Sequence, residues 1–430
     1  MDILDKHAAT WERHRLVIAA GQDPFSVCFD AVLSPTHARV GDKSIMLFGT
    51  NNYLGLTFDP ACVDAASAAL KSHGTGTTGS RIANGTFALH GALERQIAAF
   101  MKRRSAIVFS TGYQANLAMI AGLAGPKDIV LIDADSHASI YDACHLSRAQ
   151  VIRFRHNDPA DLDRRLTRLG SHPGCRLIVV EGLYSMLGDR APLGAFAEVK
   201  RRHAAFLLVD EAHSLCVLGK YGRGAAEEQH VENEVDFVVG TFSKSLGAGG
   251  GFGASNHPRF DILRLVSRAY MYTAAGSPAE VASVSAALER IQSDPDLRGR
   301  LWRNVKHFYR GLQDLDLEIA SEPSPIVALR FKDESEAIEM WNRLFAHGVY
   351  VNLALPPGTP DGASLLRASI TAGHTEEDIA GALDCFASIL AEPSAAEASR
   401  PLVAPEGGVL ATTRSSADRA ASIQPPQQRG

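Results

Sequence analysis

The 430-residue sequence has no surplus of positive charge, no uninterrupted long apolar run and no closely spaced cysteine pair. Lysine and arginine number 43 against 48 acidic residues, a formal net charge of −5, which argues against a dedicated nucleic-acid binder. Polar residues interrupt the longest apolar stretches, so the sequence predicts no membrane-spanning helix. The N-terminal segment MDILDKHAATWERHR is charged and lacks the apolar core of a secretory signal.

The six cysteines are scattered along the chain, and the 16 histidines include no HExxH motif. Cysteines spaced in this way are typical of reduced thiols in a cytoplasmic protein rather than of disulfides or zinc ligands. We therefore expect a cytoplasmic protein without a metal site.

Short apolar runs rich in valine and isoleucine alternate with helix-length segments in the first half of the chain. Such runs suit strands that are buried on both faces, and their spacing predicts a mainly parallel sheet in an α/β domain. The predicted strands are 106–109, 129–132, 151–154, 177–180, 206–209 and 237–239.

The periodicity divides the chain into an N-terminal arm, 1–50, a large domain, 51–278, and a smaller α+β C-terminal domain, 279–392. The arm is predicted to contain an amphipathic helix and a hairpin at 39–47. The C-terminal domain is predicted to contain a helical stretch 279–312 interrupted near Pro295, strands 326–331, 349–353 and 365–370, and helices 334–347 and 376–390. Residues 393–430 have no aromatic residue and are rich in Ala, Ser, Pro, Gly and Gln, which predicts a disordered tail.

Three acidic residues directly follow predicted strands: Asp133, Glu181 and Asp210. Open α/β sheets bind ligands outside the carboxyl ends of their strands, so these residues mark the expected position of a site. A GxGxxG match at Gly74, Gly76 and Gly79 follows a helix-like segment rather than a strand. This context disfavours a dinucleotide site and favours a glycine-rich loop that enters the site.

Lys244 lies in the segment GTFSKSLG, just after the predicted strand 237–239, among small and hydroxyl side chains. Burial disfavours the charged form of a lysine, and a neutral amine can form a Schiff base with a carbonyl compound. The alternative is a lysine at the end of a strand whose amine reaches solvent.

Asp210, at the end of the run FLLVD, is suited to hold a proton on the ring nitrogen of pyridoxal phosphate, which makes the ring an electron sink. Its alternative role is a helix cap. His213, three residues later, is suited to bind the ring hydroxyl. His137, in the segment DADSHASIYD, is suited to stack on the ring, or otherwise to pair with an aspartate of its own loop.

A phosphate group needs several hydrogen-bond donors, and the segment STGYQAN supplies them at the predicted start of a helix. The backbone N–H groups of Gly112 and Tyr113 are available there, and the hydroxyls of Thr241 and Ser243 add donors beside Lys244. Ser185, in the segment EGLYSMLGD, is expected to reach the face or the hydroxyl of the ring. Together with the lysine, aspartate and histidines, these residues predict pyridoxal phosphate as the cofactor.

At these residues the sequence resembles the α-oxoamine synthases, which are pyridoxal-phosphate enzymes of fold type I, and within them the bacterial soluble serine palmitoyltransferase branch. The resemblance covers about residues 45–390. Its motifs, in chain order, are NNYLGL, GTGTTGSRIANGTFALHGALE, STGYQAN, DADSHASIYD, FRHND, EGLYSMLGD, VDEAHS, GTFSKSLG and PPGTPDGASLLRASITAGHT.

The resemblance implies a homodimer with a shared active site, and it assigns the covalent cofactor bond to Lys244. It also implies that Arg367 binds the substrate carboxylate, that Asn52 lies near the substrate, and that Thr273 reaches the phosphate of the neighbouring subunit. Bacterial family members that use serine typically carry an arginine just before the Pro-Pro pair, where this chain has Leu355. The choice of amino acid therefore stays open at this point.

The activity that the resemblance implies is decarboxylative condensation of L-serine with palmitoyl-CoA to give 3-ketodihydrosphingosine, CoA and CO₂, the first step of sphingolipid synthesis. The nearest alternative is a related synthase, like 8-amino-7-oxononanoate synthase, that takes glycine, alanine or another acyl thioester, including one on an acyl carrier protein. An aminotransferase or lyase, and a non-catalytic partner protein of the same fold, are further alternatives. Membrane contact is expected to be peripheral at most.

Overall fold

The structure is a computed structural model that describes residues 2–392, which contain fourteen α-helices and fourteen strands. The helices are α1 Ala8–Ala19, α2 Pro60–His73, α3 Ala88–Phe100, α4 Gly112–Leu123, α5 Ala138–Ser147, α6 Pro159–Leu169, α7 Leu193–Arg202, α8 Ala225–Glu228, α9 Leu263–Val266, α10 Arg268–Met271, α11 Pro278–Ser293, α12 Asp296–Asp314, α13 Glu334–Ala346 and α14 Glu376–Ala391. The strands are β1 Ala31–Ser34, β2 His37–Val40, β3 Lys43–Leu47, β4 Ser105–Phe109, β5 Ile129–Asp133, β6 Gln150–Phe154, β7 Arg176–Glu181, β8 Phe206–Asp210, β9 Phe237–Thr241, β10 Gly251–Ser255, β11 Ile326–Phe331, β12 Val349–Tyr350, β13 Asn352–Ala354 and β14 Ser364–Ser369.

The central sheet has seven strands in the order β4-β10-β9-β8-β7-β5-β6. Neighbouring strands from β9 to β6 are parallel, whereas β10 is antiparallel to both β4 and β9. The six apolar runs of the sequence are the strands β4 to β9, so the predicted α/β class and mainly parallel sheet are confirmed. In β4, β5, β7, β9 and most of β8 the apolar side chains are buried on both faces of the sheet, which is why these runs are nearly continuous in the sequence, whereas the edge strand β6 exposes Val151.

Strand β10 escapes prediction because its sequence, GFGAS, lacks the β-branched residues that mark the other strands. The glycines allow helix α4 to approach this strand closely. A Cβ at Gly251 would lie 2.6 Å from the Cα of Gly112, and a Cβ at Gly253 would overlap the sulfur of Met119. The close approach fixes the start of α4 beside the end of the central sheet.

The strands before β4 and after β10 form two smaller sheets. One has four strands in the order β1-β2-β3-β12, and the other has three strands in the order β11-β14-β13. The predicted hairpin is confirmed as β2 and β3. The single predicted strand 349–353 is wrong, because β12 pairs with β3 whereas β13 pairs with β14 in the other sheet. Between them, the carbonyl of buried Val351 accepts a hydrogen bond from Trp341 Nε1 at 2.8 Å, outside both ladders.

The predicted helical stretch 279–312 is confirmed as α11 and α12, with the break at Asp294 and Pro295. Proline lacks the N–H that would continue the helical hydrogen bonds. Helix α1 exists, but the prediction that it is amphipathic is wrong, because Val17 is its one buried residue and Trp11 and Leu16 are exposed.

The predicted disordered tail, 393–430, lies outside the described residues, and the domain boundaries after residues 50 and 278 stay predictions. Among residues 2–392, no helix is long and apolar enough to cross a membrane.

Candidate active site

A cavity of about 330 Å³ lies at the carboxyl ends of the central strands, where the sequence places the site. It is lined by most of the predicted site residues, namely Gly112, Tyr113, His137, Asp210, His213, Thr241, Ser243 and Lys244. Glu181, which the sequence places at a strand end beside the expected site, lines it as well, and so do residues to which the prediction gave no role, among them Asn116 and Ser139. The prediction therefore located the cavity but omitted part of its wall.

One end of the cavity is formed by the start of helix α4. Thr111 caps this helix, and its hydroxyl accepts a hydrogen bond from the backbone N–H of Gln114 at 3.0 Å. The first N–H groups of a helix have no partner within the helix, so this end attracts anions. A Cβ at Gly112 would lie 2.6 Å from Thr241 Oγ1, which itself lies 2.9 Å from Ser243 Oγ.

Asp210, at the end of β8, presents a buried carboxylate at another wall of the cavity. Its Oδ1 accepts a hydrogen bond from the backbone N–H of Ala212 at 2.8 Å, and its Oδ2 accepts one from Asn116 Nδ2 at 2.7 Å. These neutral donors fix the orientation of the carboxylate without neutralising its charge. Asp210 can therefore hold a positively charged ligand group.

His137 caps helix α5 and is oriented by the same network. Asn116 Nδ2 also donates to Ser139 Oγ at 3.0 Å, and Ser139 Oγ lies 2.8 Å from His137 Nδ1. The backbone N–H of Ser139 donates to the same ring nitrogen at 3.2 Å. Burial lowers the pKa of His137, so its ring is neutral at neutral pH and carries its proton on Nε2.

Glu181, at the end of β7, is fully buried beside Asp210 in the neighbouring strand. Its Oε1 accepts a hydrogen bond from the backbone N–H of His137 at 2.5 Å. Burial raises the pKa of Glu181 well above its ordinary value, and the charge of Asp210 raises it further. Glu181 therefore ties the start of α5 to the sheet.

Lys244 follows β9, and its side chain lines the cavity. Burial lowers the pKa of its amine, and the charges of Asp210 and Glu181 oppose this effect. Within residues 2–392, no hydrogen bond of the protein involves this amine. A lysine that is covered but not paired is a nucleophile in its neutral form.

His213 faces the cavity on one side and Tyr53 on the other. Its Nδ1 lies 2.7 Å from the hydroxyl of Tyr53, which donates to Asn51 Oδ1 at 3.2 Å. Burial lowers the pKa of His213 well below its ordinary value and raises the pKa of Tyr53 to about 12. Both side chains are therefore neutral, and neither Tyr53 nor Asn51 was predicted.

Arg367, on β14, is buried and lies outside the lining of the cavity. Its three nitrogens are each held: Nε by the carbonyl of Ser185 at 2.6 Å, Nη1 by Ser369 Oγ at 3.0 Å, and Nη2 by Asn51 Oδ1 at 2.9 Å. It is thus the backbone carbonyl of Ser185, rather than its hydroxyl, that makes the contact in this structure.

The other predicted substrate and cofactor residues also lie outside the lining. The amide of Asn52 donates to Thr57 Oγ1 at 2.8 Å, and Thr273 Oγ1 accepts a hydrogen bond from Gln114 Nε2 at 3.4 Å. Leu355 packs against the main hydrophobic core. The structure therefore does not bring these three side chains to the cavity.

A model of the aminotransferase class I and II family matches residues 43–386. The chain belongs to this family. It is 54% identical to a serine palmitoyltransferase of Caulobacter vibrioides over 389 residues, which cover 90% of this chain and 96% of that protein. It is 46% identical to the serine palmitoyltransferase of Sphingomonas paucimobilis over 377 residues, which cover 87% and 90% of the two chains.

A high-resolution structure of a serine palmitoyltransferase, described as containing its pyridoxal phosphate internal aldimine, matches with a TM-score of 0.88 at 45% identity. The match covers 90% of this chain and 98% of that one. These relatives confirm the resemblance and the fold that the sequence motifs predicted.

Proposed function

We propose that this family member is a pyridoxal-phosphate-dependent acyltransferase that condenses L-serine with palmitoyl-CoA. The products are 3-ketodihydrosphingosine, CoA and CO₂. The proposal rests on one combined observation: a chain 54% identical to a serine palmitoyltransferase carries an unpaired lysine, a buried aspartate and a helix N-terminus around one cavity.

The residues at the cavity fit this cofactor. Lys244 presents an amine without a hydrogen bond in the described chain, and Asn116 Oδ1 is a buried acceptor that lacks a partner among residues 2–392. At Gly112 the backbone approaches Thr241 so closely that a side chain would fill the phosphate end. When bound there, pyridoxal phosphate supplies an electron sink for the Cα of an amino acid.

Each residue at the site would have a separate role in binding the cofactor and the substrate. Lys244 would bind the cofactor covalently and, as a neutral amine, take the proton from the Cα of the substrate. Asp210 would hold a proton at the ring nitrogen, and His213 would bind the ring hydroxyl. His137 would cover the ring and hold its own proton at Nε2, and Arg367 would bind the substrate carboxylate.

The phosphate would bind at the N–H groups of Gly112 and Tyr113, with the hydroxyls of Thr241 and Ser243 as further donors. We keep Ser185, Asn52 and Thr273 as proposed contacts to the ring, the substrate and the partner subunit. Their proposed roles need a bound ligand or a second chain. Serine-using bacterial members of the family typically carry an arginine at the position of Leu355, and we expect weak serine binding without it.

The experiment is a matrix of amino acids and acyl thioesters, with product mass spectrometry and a free-thiol assay. We expect L-serine with palmitoyl-CoA to release CoA and give the long-chain 3-ketone. Activity with glycine or alanine alone would favour a different synthase of the family. A Lys244→Ala variant should lose the visible cofactor absorbance and turnover, whereas Lys71→Ala, at an exposed residue of α2, should keep both.

We also propose that the enzyme works as a homodimer with a shared site. The support is that three apolar side chains close to Thr273 in the sequence, Leu265, Val266 and Tyr272, are exposed. Mixing inactive Lys244→Ala and Thr273→Ala chains tests this arrangement. Recovery of activity that neither variant has alone is expected, and no recovery in a mixed dimer would contradict a shared site.

A further inference from the structure

The FRHND motif contains a histidine that the proposed mechanism does not use. His156 follows β6 and lies between two carboxylates, with Nδ1 2.7 Å from Asp133 Oδ1 and Nε2 2.8 Å from Asp189 Oδ2. The ring also packs edge-on against Tyr184, with ring centroids 4.5 Å apart. Asp133 is fully buried, and the side chain of His156 is 23% exposed.

This geometry requires the charged form of the histidine. A neutral imidazole has one N–H donor, whereas here both ring nitrogens face carboxylate oxygens, which only accept hydrogen bonds. Burial opposes the charge, but the hydrogen bonds to Asp133 and Asp189 outweigh it and raise the pKa of His156 to about 10. His156 is therefore an imidazolium that links the end of β5 to Asp189.

Asp189 closes the segment 182–190, which contains Ser185. Its carbonyl accepts a hydrogen bond from the backbone N–H of Tyr184 at 2.9 Å, and Leu183 pairs with Arg190 across the base of the segment. A second donor, Asn157 Nδ2, binds the same carboxylate oxygen as His156, at 2.6 Å. The carboxylate is thus held from the β6 side by two neighbouring residues.

The tip of this segment contacts the arginine that we assign to the substrate carboxylate. The carbonyl of Ser185 accepts a hydrogen bond from Arg367 Nε at 2.6 Å. A continuous path of hydrogen bonds and backbone therefore runs from His156 through Asp189 and Ser185 to Arg367.

We propose that His156 is a positioning residue that holds the segment 182–190 so that the Ser185 carbonyl fixes Arg367 for a substrate carboxylate. The inference rests on the proposed function, which supplies the carboxylate. His156 does not touch the reacting atoms, and its effect is transmitted through the orientation of one guanidinium. A charge-assisted arginine–carboxylate contact is directional, so a small rotation weakens it.

The test compares two amines with the holoenzyme by cofactor absorbance: L-serine and ethanolamine, which lacks the carboxylate. In His156→Asn, the short amide keeps a donor near Asp133 and loses the one to Asp189. We expect L-serine to bind about tenfold more weakly and ethanolamine to bind as in the wild type, since one charge-assisted contact is disturbed. His156→Gln, whose amide nitrogen lies near the Nε2 position, should restore most of the serine affinity.

His203 provides a matched control, because its Nε2 lies 2.7 Å from Asp163 Oδ1 in a similar pair at the end of α7. His203→Asn should leave the binding of both amines unchanged. A double-mutant cycle with Arg367→Lys completes the design: the effect of His156→Asn on serine affinity should largely disappear in that background.

Equal weakening of both amines in His156→Asn, or full additivity with Arg367→Lys, would overturn the positioning role and leave a general structural one. If His156→Asn does not fold, Asp189→Asn is used with the same expectation of a loss selective for L-serine. Failure of the proposed function would look different, because the wild type itself would then not bind L-serine.

Discussion

The charge on His156 should make the stability of this protein depend on pH between about 6.5 and 10, and His156→Asn should remove that dependence. The folded-state pKa is raised above the ordinary value of 6.5, so the stabilising contribution is fully present below pH 6.5. As the pH rises further, the unfolded chain releases this proton while the folded chain keeps it. The contribution therefore falls steadily and is lost as the pH passes about 10.

The size of the effect follows from the same values. One pKa unit corresponds to about 1.4 kcal/mol, so a rise from 6.5 to about 10 sets an upper bound of about 5 kcal/mol. The side chains of His156 and Asp189 are 23% and 24% exposed. Solvent screening at that exposure reduces the expected contribution to about 2–3 kcal/mol. The titratable groups that face the ring are Asp133, Asp189, Tyr184 and, at 3.8 Å, Asp135. Burial raises the pKa of Asp135, and the charge of Asp361 raises it further.

The assay is thermal unfolding of the holoenzyme at fixed protein concentration from pH 6 to pH 10. For a folded part of this length, 2–3 kcal/mol corresponds to a difference in melting temperature of about 3 °C. We expect the wild type to exceed His156→Asn by about this amount at pH 6, with the difference shrinking towards pH 10.

Asn157→Gly is the matched control, because Asn157 donates to the same oxygen of Asp189 but cannot titrate. Glycine also tolerates the positive φ of 49° at this position. Its effect on the melting temperature should be constant over the same pH range. A difference between the wild type and His156→Asn that stays constant, or grows with pH, would refute the assignment of a charged His156.

Three further variants test the site. Gly112→Ala should weaken cofactor retention during dialysis at least tenfold, because its Cβ would lie 2.6 Å from Thr241 Oγ1, whereas Gly194→Ala, with open space at that position, should not. Tyr53→Phe removes a buried hydroxyl that lies between Asn51 and His213, and it should lower the free energy of unfolding by about 1–3 kcal/mol. An unchanged denaturant midpoint of unfolding would contradict this hydrogen-bond network. Leu355→Arg should strengthen L-serine binding about tenfold in a spectral titration if this position faces the carboxylate, and no gain would show that it does not.

Most of the central sheet and the residues at its strand ends followed from the sequence alone. The runs that end at Asp133, Glu181 and Asp210 are continuous and apolar because their strands are buried on both faces. Lys244 and His137 were identified for the same reason, since each follows such a strand and the carboxyl ends of parallel strands meet at one edge.

The contacts that orient the site could not be read from the sequence, because their partners are far apart along the chain. His213 binds Tyr53 across 160 residues, and Arg367 binds Asn51 across 316. The pattern of neighbouring residues does not indicate such pairs, and an asparagine or tyrosine in a motif has many possible hydrogen-bond partners. The same reason explains the missed strand β10, whose glycines are required by the approach of α4 rather than by strand propensity.

The sequence by itself therefore determined which strands form, which chemical groups stand at their ends and which family they indicate. Tertiary structure alone decided how those groups are held: that a network from Asn116 sets the tautomer of His137, that a backbone carbonyl of Ser185 holds Arg367, and that His156 is charged. The physical reason is that hydrophobic periodicity is a property of neighbouring residues. Hydrogen-bond partners and burial, which set orientation and charge, exist only once distant segments have packed together.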